Sequence, residues 1–458
     1  MSDSLAGGSM YESEAKIYPR EVSGTFNSLR TLAVYVLLGI YYLLPWINIG
    51  DRQALLFDLP ARQFHIFGLT LWPQDFPLLA LLLIFAAISL FFFTALAGRL
   101  WCGFACPQTV WTEVFIWMEQ WTEGKRTARI RLDRGPWTAE KIARKTAKQI
   151  LWISFAAFTG FTFVGYFTPI RELSGAVVQG ALGPWETFWI LFYGFATYGN
   201  AGYLREQVCK YMCPYARFQS AMFDKDTLII SYDTGRGEPR GSRRRGSDYK
   251  ASGLGDCVDC NKCVQVCPTG IDIRDGLQYE CIACAACIDA CNDVMTRLEY
   301  PRNLIRYTTE HMAKGGNRRI LRARTVVYAS ILTILLAVLI GAMLLRTPLI
   351  VDVIRDRNTL FREVGSDLIE NSYTLKIINQ GSDEKTFRIT VSGLPNIRIE
   401  GTASTVSAQA GQVLSLPTRV QVPRQDTAGI SEITFTVESL DRDEISVAEK
   451  SRFLGPSH

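Results

Sequence analysis

Eight of the 12 cysteines in this chain lie within 35 residues, in two runs that share the spacing CxxCxxCxxxC. At this spacing three thiolates converge on three irons of one [4Fe-4S] cluster, while the fourth cysteine of each run ligates the other cluster. The sequence therefore predicts two clusters. One is assigned to Cys257, Cys260, Cys263 and Cys291, and the other to Cys267, Cys281, Cys284 and Cys287.

Zinc and disulfides are the competing interpretations of these two runs. A four-cysteine zinc site is built from two CxxC pairs. It does not explain the third cysteine that follows three positions later in both runs. Disulfides do not suit a reducing compartment, and the topology below places every cysteine on the cytoplasmic side. Iron–sulfur ligation is therefore the favoured chemistry.

The other four cysteines form two copies of a shorter motif, CxxxCP. Cys102 and Cys106 lie in WCGFACPQTVW, and Cys209 and Cys213 lie in CKYMCPYARFQSAM. Cysteines four residues apart share one helical face, and the proline can begin a new element. Soft thiolates favour Cu(I), and Met212 adds a thioether. The four cysteines are therefore the candidate catalytic residues and, together with Met212, the candidate copper site.

Two alternatives remain for these cysteines. Isolated free cysteines are usually small buried apolar residues, although a duplicated motif with proline favours a metal or redox role. Copper, iron and a transient disulfide all remain compatible with the spacing.

Histidine is scarce, and this restricts the redox chemistry. The three histidines are His65, His311 and His458, and none falls inside a predicted span. A membrane haem with two histidine ligands is therefore excluded. The outside sequence Ser174–Val177 lacks the threonine that a covalent flavin uses, so cysteine-bound clusters are the electron carriers that remain.

The apolar residues are concentrated in five runs without Asp, Glu, Lys or Arg, in a chain of 458 residues that is 48% hydrophobic. The runs are Thr31–Gly50, Phe76–Gly98, Gln149–Ile170, Thr187–Leu204 and Thr325–Leu345. Each is close to the roughly 20 residues that a helix needs to cross a bilayer. The sequence thus predicts a bundle of five transmembrane helices. The first is an anchor and not a signal peptide, since no small-residue cleavage site follows it.

Basic residues in the short loops set the orientation. The loop from Arg99 to Lys148 carries ten lysines and arginines, whereas residues 171–186 carry one. The positive-inside rule puts the N-terminus in the cytoplasm and the C-terminus outside. We expect the membrane to be the inner membrane of a bacterium. Within the basic loop, residues 111–121 are aromatic and predict a helix along the inner leaflet. The net charge of +5 then reflects topology and not nucleic-acid binding.

The remaining segments follow from this topology. We predict a cytoplasmic tail at 1–30, four transmembrane helices with the first CxxxCP in 31–204, a cytoplasmic region at 205–324 and a fifth helix at 325–345. The ferredoxin module occupies about 250–300, and 346–458 form a periplasmic domain. In that domain, short alternating runs between turn residues predict an immunoglobulin-like β-sandwich of about seven strands. These runs are 373–378, 387–391, 397–400, 413–422 and 433–437.

The combination of five spans, twin CxxxCP motifs, a two-cluster ferredoxin module and an outside β-domain resembles one family over nearly the whole chain. This is the CcoG (FixG/RdxA) family of accessory proteins of cbb3-type cytochrome c oxidase. The resemblance implies a cupric reductase that makes Cu(I) for oxidase assembly. It also implies a cytoplasmic electron donor, a copper chaperone or exporter, and oxidase assembly proteins as partners. The eight ferredoxin cysteines would hold the clusters, and Cys102, Cys106, Cys209 and Cys213 would bind copper.

Two functions from other classes compete with this hypothesis. Polyferredoxins that serve periplasmic nitrate and nitrous-oxide reductases share both motifs, which makes a membrane electron relay the first alternative. The second is an oxidase assembly scaffold in which the clusters are structural.

Overall fold

The structure is a computed structural model that describes residues 16–50, 52–244, 248–356, 360–365, 367–381, 384–409, 411–427, 429–441 and 445–456. The chain divides into two compact units, residues 1–339 and 340–458. The first unit is mainly helical and contains all 12 cysteines. In its described residues the second unit consists mainly of β-strands, with the end of the last long helix and a 3-10 turn at Arg424–Asp426.

Helices form most of the first unit. The α-helices are α1 Thr25–Leu43, α2 Phe76–Ala97, α3 Leu100–Phe104, α4 Pro107–Glu123, α5 Arg126–Arg134, α6 Ala139–Val164, α7 Ile170–Gln179, α8 Pro184–Thr197, α9 Pro214–Met222, α10 Thr234–Gly237, α11 Lys262–Gln265, α12 Ala286–Arg297, α13 Glu310–Ala313 and α14 Ala323–Leu344. Two π-helical turns, Tyr198–Leu204 and Val208–Met212, lie between α8 and α9. Short 3-10 turns occur at Leu44–Trp46, Pro73–Asp75 and Ile273–Asp275.

Four helical segments of the described chain are long and apolar enough to cross a membrane. They are Thr25–Trp46, Phe76–Ala97, Ala139–Val164 and Ala323–Leu344, and each overlaps a predicted span. The third begins ten residues before the predicted start, because Thr138 caps the helix by accepting a hydrogen bond from the Lys141 N–H. The fourth predicted span is also helical, but α8 has 14 residues and a seven-residue π-helical turn completes it. Gly199 and Gly202 in that turn lower the α-helical propensity.

Helix α4 belongs to the core of this unit. Phe115 and Glu119 are fully buried, and Phe115 packs with Val34 of α1 and Trp152 of α6. The prediction of a helix lying along the inner leaflet is therefore wrong for this segment. Aromatic residues such as Trp111 and Trp117 suit both a membrane surface and a protein core. Only the packing of α4 against α1 and α6 distinguishes the two environments.

Residues 16–24 run in extended conformation across the first unit. Tyr18 donates a hydrogen bond to the Asp133 carboxylate over 2.6 Å, and the Arg129 guanidinium donates to the Pro19 carbonyl over 2.9 Å. The same segment also contacts the ferredoxin module, because the Arg20 backbone N–H donates a hydrogen bond to the Gln265 carbonyl over 2.8 Å. The predicted tail at 1–30 thus contains a segment that ties the helices to the ferredoxin module, followed by the start of α1. Residues 1–15 lie outside the described residues.

Short strands complete the first unit. The strands β1 Asn48–Ile49 and β2 Arg52–Gln53 pair with each other, and β3 Leu55–Asp58, β4 Gln63–Ile66 and β5 Leu69–Leu71 form an antiparallel sheet. The strands β6 Ile229–Tyr232 and β7 Ile305–Thr308 pair antiparallel and flank the ferredoxin cysteines in sequence. Ile230, Leu304 and Met295 form the core of this module, so the cysteine loops are held on a small packed scaffold.

The second unit is a sandwich of two antiparallel sheets, which confirms the predicted architecture. Its strands are β8 Leu349–Arg355, β9 Arg362–Val364, β10 Leu368–Asn379, β11 Lys385–Ser392, β12 Arg398–Glu400, β13 Thr405–Ala408, β14 Val413–Pro423, β15 Ile430–Ser439 and β16 Ser446–Leu454. One sheet has the order β12-β14-β10-β8, with β9 also on β10, and the other has the order β13-β11-β15-β16. Phe387, Phe435 and Phe453 are fully buried between them. The five predicted runs overlap five of these strands, while β8, β9, β13 and β16 have no counterpart among them.

Candidate metal centres

The first cluster cavity is lined by Cys257, Cys260, Cys263 and Cys291. Cys257 and Cys260 lie on the loop before α11, Cys263 lies in α11, and Cys291 reaches the cavity from α12. Cys260 is exposed, whereas Cys257 and Cys263 are buried. The cavity therefore has one ligand at the protein surface.

The second cluster cavity is lined by Cys267, Cys281, Cys284 and Cys287. Cys263 also lines it, so the two cavities are neighbours. The fourth cysteine of each run lies with the first three of the other run. This arrangement is the one that the sequence predicts for the ligand sets.

The loops around the two cavities repeat one backbone conformation. Asp259 and Asn261 in the first run, and Ala283 and Ala285 in the second, have positive φ angles between 52° and 61°. Alternation of right- and left-handed residues turns successive backbone N–H groups into a concavity that binds anions, as in many iron–sulfur sites. Such angles are uncommon for residues other than glycine, so their repetition at equivalent positions is a property of the site.

The donor set and its burial fit iron–sulfur clusters. Burial raises the pKa of the Cys263 thiol to about 11 and that of the Cys281 and Cys291 thiols to about 12. Without a cation these thiols are neutral at pH 7, and the thiolates form only when a metal supplies positive charge. Four sulfurs around each cavity match the four ligands that such a cluster takes.

The two CxxxCP motifs have the same local structure. Cys102 lies in α3 and Cys209 in a π-helical turn, whereas Cys106 and Cys213 are extended residues that precede Pro107 and Pro214 at the starts of α4 and α9. Proline suits the first helical position because its missing N–H would have no partner there. The expectation that both sulfurs of a motif share one helical face is wrong, since the chain leaves the first helix before the second cysteine.

The structure brings these four cysteines together as one group, which we call the CxxxCP group (Cys102, Cys106, Cys209 and Cys213). Burial raises the pKa of Cys102 to about 12, and the nearby Cys106 and Cys209 thiols contribute to the rise. Burial likewise raises the pKa of Cys209 to about 11, with contributions from Cys106 and Cys213. Arg99 opposes both shifts. Met212 is 59% exposed beside the group.

The CxxxCP group contacts the second cluster cavity. Cys102 packs against a buried cluster that contains Cys284 and consists of Val266, Ile282, Cys284, Ala286 and Ala290. A Cβ atom added to Gly103 would lie 2.8 Å from the Cα atom of Cys284, so the two backbones approach closely here. Arg99 spans the same boundary by donating hydrogen bonds to the carbonyls of Tyr279 and Ala216.

A buried charge network, which the sequence analysis missed, connects the two CxxxCP motifs. Glu119 of α4 accepts hydrogen bonds from Arg129 over 2.9 Å and from Arg205 over 3.0 Å. Burial raises the pKa of Glu119, but Arg205, Lys16, Arg129 and Lys148 outweigh this effect and lower it to about 2. Because α4 follows Cys106 and Arg205 precedes Cys209, the network holds the motifs in register. The feature of the sequence that could have indicated this network is the acidic Glu119 within an aromatic helix.

Comparisons with known proteins agree with this geometry. A family model described as a 4Fe-4S dicluster domain matches residues 204–310, and one described as a 4Fe-4S binding domain matches residues 79–128. A third model, described as an IG-like fold at the C-terminal of FixG, matches residues 339–456. Clusters, apolar helices and the sandwich together define an iron–sulfur electron-transfer protein of the membrane polyferredoxin type.

Several characterised sequences are similar over most of their length. The protein RdxA of Cereibacter sphaeroides is 41% identical over 413 residues, which cover 86% of each chain. The nitrogen fixation protein FixG of Rhizobium meliloti is 37% identical over 486 residues, covering 95% of this chain and 93% of FixG. The chain therefore belongs to the FixG (CcoG) family.

More partial similarities extend to other proteins. The ferredoxin-type protein NapH of Haemophilus influenzae is 24% identical over 278 residues, covering 58% of this chain and 84% of NapH. A crystal structure of a FixG-related protein from Vibrio parahaemolyticus is 32% identical, with a TM-score of 0.23, and covers 24% of this chain and 98% of that one.

Proposed function

We propose that this protein is a cupric reductase, an oxidoreductase that converts Cu(II) to Cu(I) and so supports copper delivery to cbb3-type cytochrome c oxidase. The observation that carries the proposal is the contact of Cys102 and Gly103 with Cys284 at the second cluster cavity. It brings a group of four thiols next to an electron-carrying site. Thiolates, with the Met212 thioether, are the ligands that retain Cu(I) as the product.

The eight ferredoxin cysteines are proposed as the cluster ligands in the two sets that line the cavities. Clusters of the ferredoxin type would supply low-potential electrons, at about −400 mV in plant-type ferredoxins. The chain itself provides the buried thiols, the loop amides and the short contact to the CxxxCP group. These features bring the electron to the place where the metal substrate binds.

The CxxxCP thiols lose their protons when copper binds. Burial keeps Cys102 and Cys209 neutral in the absence of metal, while Arg99 lowers the cost of forming their thiolates. Cu(II) displaces these protons, accepts one electron from the reduced protein and becomes Cu(I). One electron is consumed for each copper ion, and no other reactant is needed.

We further propose that the protein crosses the bacterial inner membrane five times, with Pro184–Leu204 as the fourth crossing. The ten basic residues of loop 99–148 support a cytoplasmic location for the N-terminus and the ferredoxin module. The sandwich would then be periplasmic. A cytoplasmic donor would reduce the clusters, and a copper chaperone or exporter would receive Cu(I) for the oxidase assembly proteins.

The test is an anaerobic titration of the reduced full-length protein in detergent with Cu(II). We expect the clusters to reoxidise while a Cu(I) chelator traps one Cu(I) per electron released. The double variant C102S/C209S should keep the absorbance of the ferredoxin clusters and lose copper reduction, whereas G175A, in open space on α7, should behave like the wild type. Reduced clusters that persist beside Cu(II) in the wild type would refute the proposal.

A membrane electron relay is the second candidate, favoured by the similarity to NapH and by the 4Fe-4S model over residues 79–128. An assembly scaffold is separated from both by truncation after Arg346. The truncated reductase or relay should still exchange electrons in vitro, whereas a scaffold that depends on the sandwich would lose its role in oxidase assembly.

A further inference from the structure

We propose that Cys102, Cys106, Cys209 and Cys213 hold a third iron–sulfur cluster, of the four-iron type. The inference rests on the proposed function in one respect, since it takes the CxxxCP group as the site where electrons leave the ferredoxin module. In this form the four sulfurs are cluster ligands, which replaces the direct binding of copper by Cys102 and Cys209 described under the proposed function. Cu(II) would be reduced at the margin of an occupied site and not among its four ligands.

The two motifs form one site and not two separate pairs. The Cys102 thiol donates a hydrogen bond over 3.3 Å to the side-chain oxygen of Gln219, in the helix that starts after Cys213. In the other direction, the Gln108 amide, two residues after Cys106, donates over 3.1 Å to the Arg205 carbonyl ahead of Cys209. Cys106 interacts electrostatically with both Cys209 and Cys213. The four thiols therefore act as one ligand set drawn from two distant parts of the chain.

The spread of the sulfurs favours a cluster over a single ion. One tetrahedral ion needs its thiolates within about 2.3 Å of a common point. Among the described residues, which include all 12 cysteines, no three His, Cys, Asp or Glu side chains are close enough to hold one metal ion. The eight ferredoxin cysteines share this property, because each ligand of a cluster binds a different iron. Among the described residues, the CxxxCP group is thus like the two predicted cluster sites in offering no single-ion site.

The number of cysteines agrees with three clusters. The model for a 4Fe-4S binding domain covers residues 79–128, where Cys102 and Cys106 are the only cysteines. Two thiols leave half of a four-iron cluster without protein ligands. Cys209 and Cys213 supply the missing pair and are not needed by the two ferredoxin sets. The 12 cysteines of the chain then form three sets of four.

The backbone at the second cysteine of the first motif suits an anionic cluster. The Cys106 sulfur lies at the N-terminus of α4, where the N–H groups of Gln108 and Thr109 donate hydrogen bonds to it. Cys213 occupies the equivalent position at the start of α9. Two helix N-termini therefore point positive dipole ends toward the group and stabilise thiolates there.

The test is the metal content of full-length protein isolated without exposure to oxygen. With three clusters we expect about 12 irons and about 12 sulfides per chain. The variant C102S/C209S should lose about four irons and one reduced-cluster signal in electron paramagnetic resonance. The variant G175A, in open space on α7, should keep the full iron content.

About eight irons in the wild type, with copper or zinc bound by the remaining thiols, would overturn the inference without any variant. The iron content is measured independently of copper reduction. About 12 irons in a protein that reduces no Cu(II) would refute the proposed function and leave the third cluster standing. About eight irons in a protein that does form Cu(I) would refute the third cluster and support the proposed function.

Discussion

The two cluster cavities have the same ligand spacing and the same loop conformation but different surroundings. The first cavity has the exposed Cys260 at its edge. The second is enclosed by parts of the membrane-associated helices, since Cys102 packs on Cys284 and Arg30 of α1 lies beside it. Under the proposed function, the first cavity would accept electrons from a soluble donor and the second would pass them to the CxxxCP group.

The charged residues around the two cavities also differ. Arg274 at the first cavity forms ion pairs with Asp259 over 2.6 Å and with Asp272 over 2.5 Å. At the second cavity, the described hydrogen bonds of Arg99 all end on backbone carbonyls, and Arg30 has Glu113 at 3.5 Å. Cations that are weakly compensated stabilise the reduced form of a nearby cluster, since reduction adds negative charge. We therefore expect the arginines to raise the potential at the second cavity and to favour electron flow toward it.

The largest effect is expected when one ligand is removed from each cavity in turn. C284S should abolish copper reduction, because no carrier then adjoins the CxxxCP group. C260S should lose the first cluster but retain copper reduction with dithionite, which can reduce the second cluster directly. Rapid-mixing absorbance with a Cu(I) chelator measures both. Equal losses in the two variants would show that the cavities do not act in series.

Removing the charge of Glu119 should loosen the second CxxxCP motif and leave the first cavity unchanged. E119Q leaves Arg129 and Arg205 buried without their carboxylate, a change that costs about 3 kcal/mol or more. We expect a lower melting temperature in detergent and slower copper reduction, with the first-cluster signal retained. E140Q, at an exposed surface pair with Arg144, is the matched control and should change little.

The same residue predicts a pH dependence. Because the folded-state pKa of Glu119 is lowered to about 2 from 4.5, its contribution to stability is fully present above pH 4.5. That contribution is lost as the pH falls from about 4.5 toward 2. E119Q should therefore be less stable than the wild type at pH 7 but converge with it near pH 2, as measured by thermal melts. A stability difference that stays constant across this range would contradict the assignment.

A methyl group at Gly103 should separate the CxxxCP group from the second cavity. In G103A the new Cβ would meet backbone atoms of Cys284 and Ile282 at 2.8 Å, so the chains must move apart. Overpacking of this kind costs about 1–3 kcal/mol. We expect copper reduction to slow several-fold while both ferredoxin clusters remain, with G175A again as the control. An unchanged rate would mean that this contact does not carry the electron.

The smallest effect concerns the reduction potentials. R30Q removes a cation beside Cys284 but keeps an amide that can reach Asn27. We expect the potential of the second cluster to fall by about 50 mV, the order expected for one partly screened charge, and that of the first to stay constant. Redox titration followed by electron paramagnetic resonance measures both values. A shift confined to the first cluster would reverse the proposed asymmetry.

Local patterns predicted much of this molecule. The grouping of Cys257, Cys260 and Cys263 with Cys291 depends on short spacings, because a tight loop fixes which sulfurs can meet. The apolar run of α2 and the alternation in β10 likewise give helix and strand directly, since burial repeats with the period of the element. Where local signals were mixed, as in α4, the prediction was wrong. Strand β16, rich in charged residues, had no clear alternation to detect.

The amino-acid sequence by itself determined the ligand types, their spacing, the apolar helices and the architecture of the second unit. Only the tertiary structure decided that the second cavity adjoins Cys102, that the two CxxxCP motifs form one group, and that Arg30, Arg99 and Glu119 belong to these sites. The reason is physical. Spacing and periodicity report interactions within a loop, a helix or a strand, whereas these contacts join residues about 80 to 180 positions apart whose meeting depends on how the helices pack.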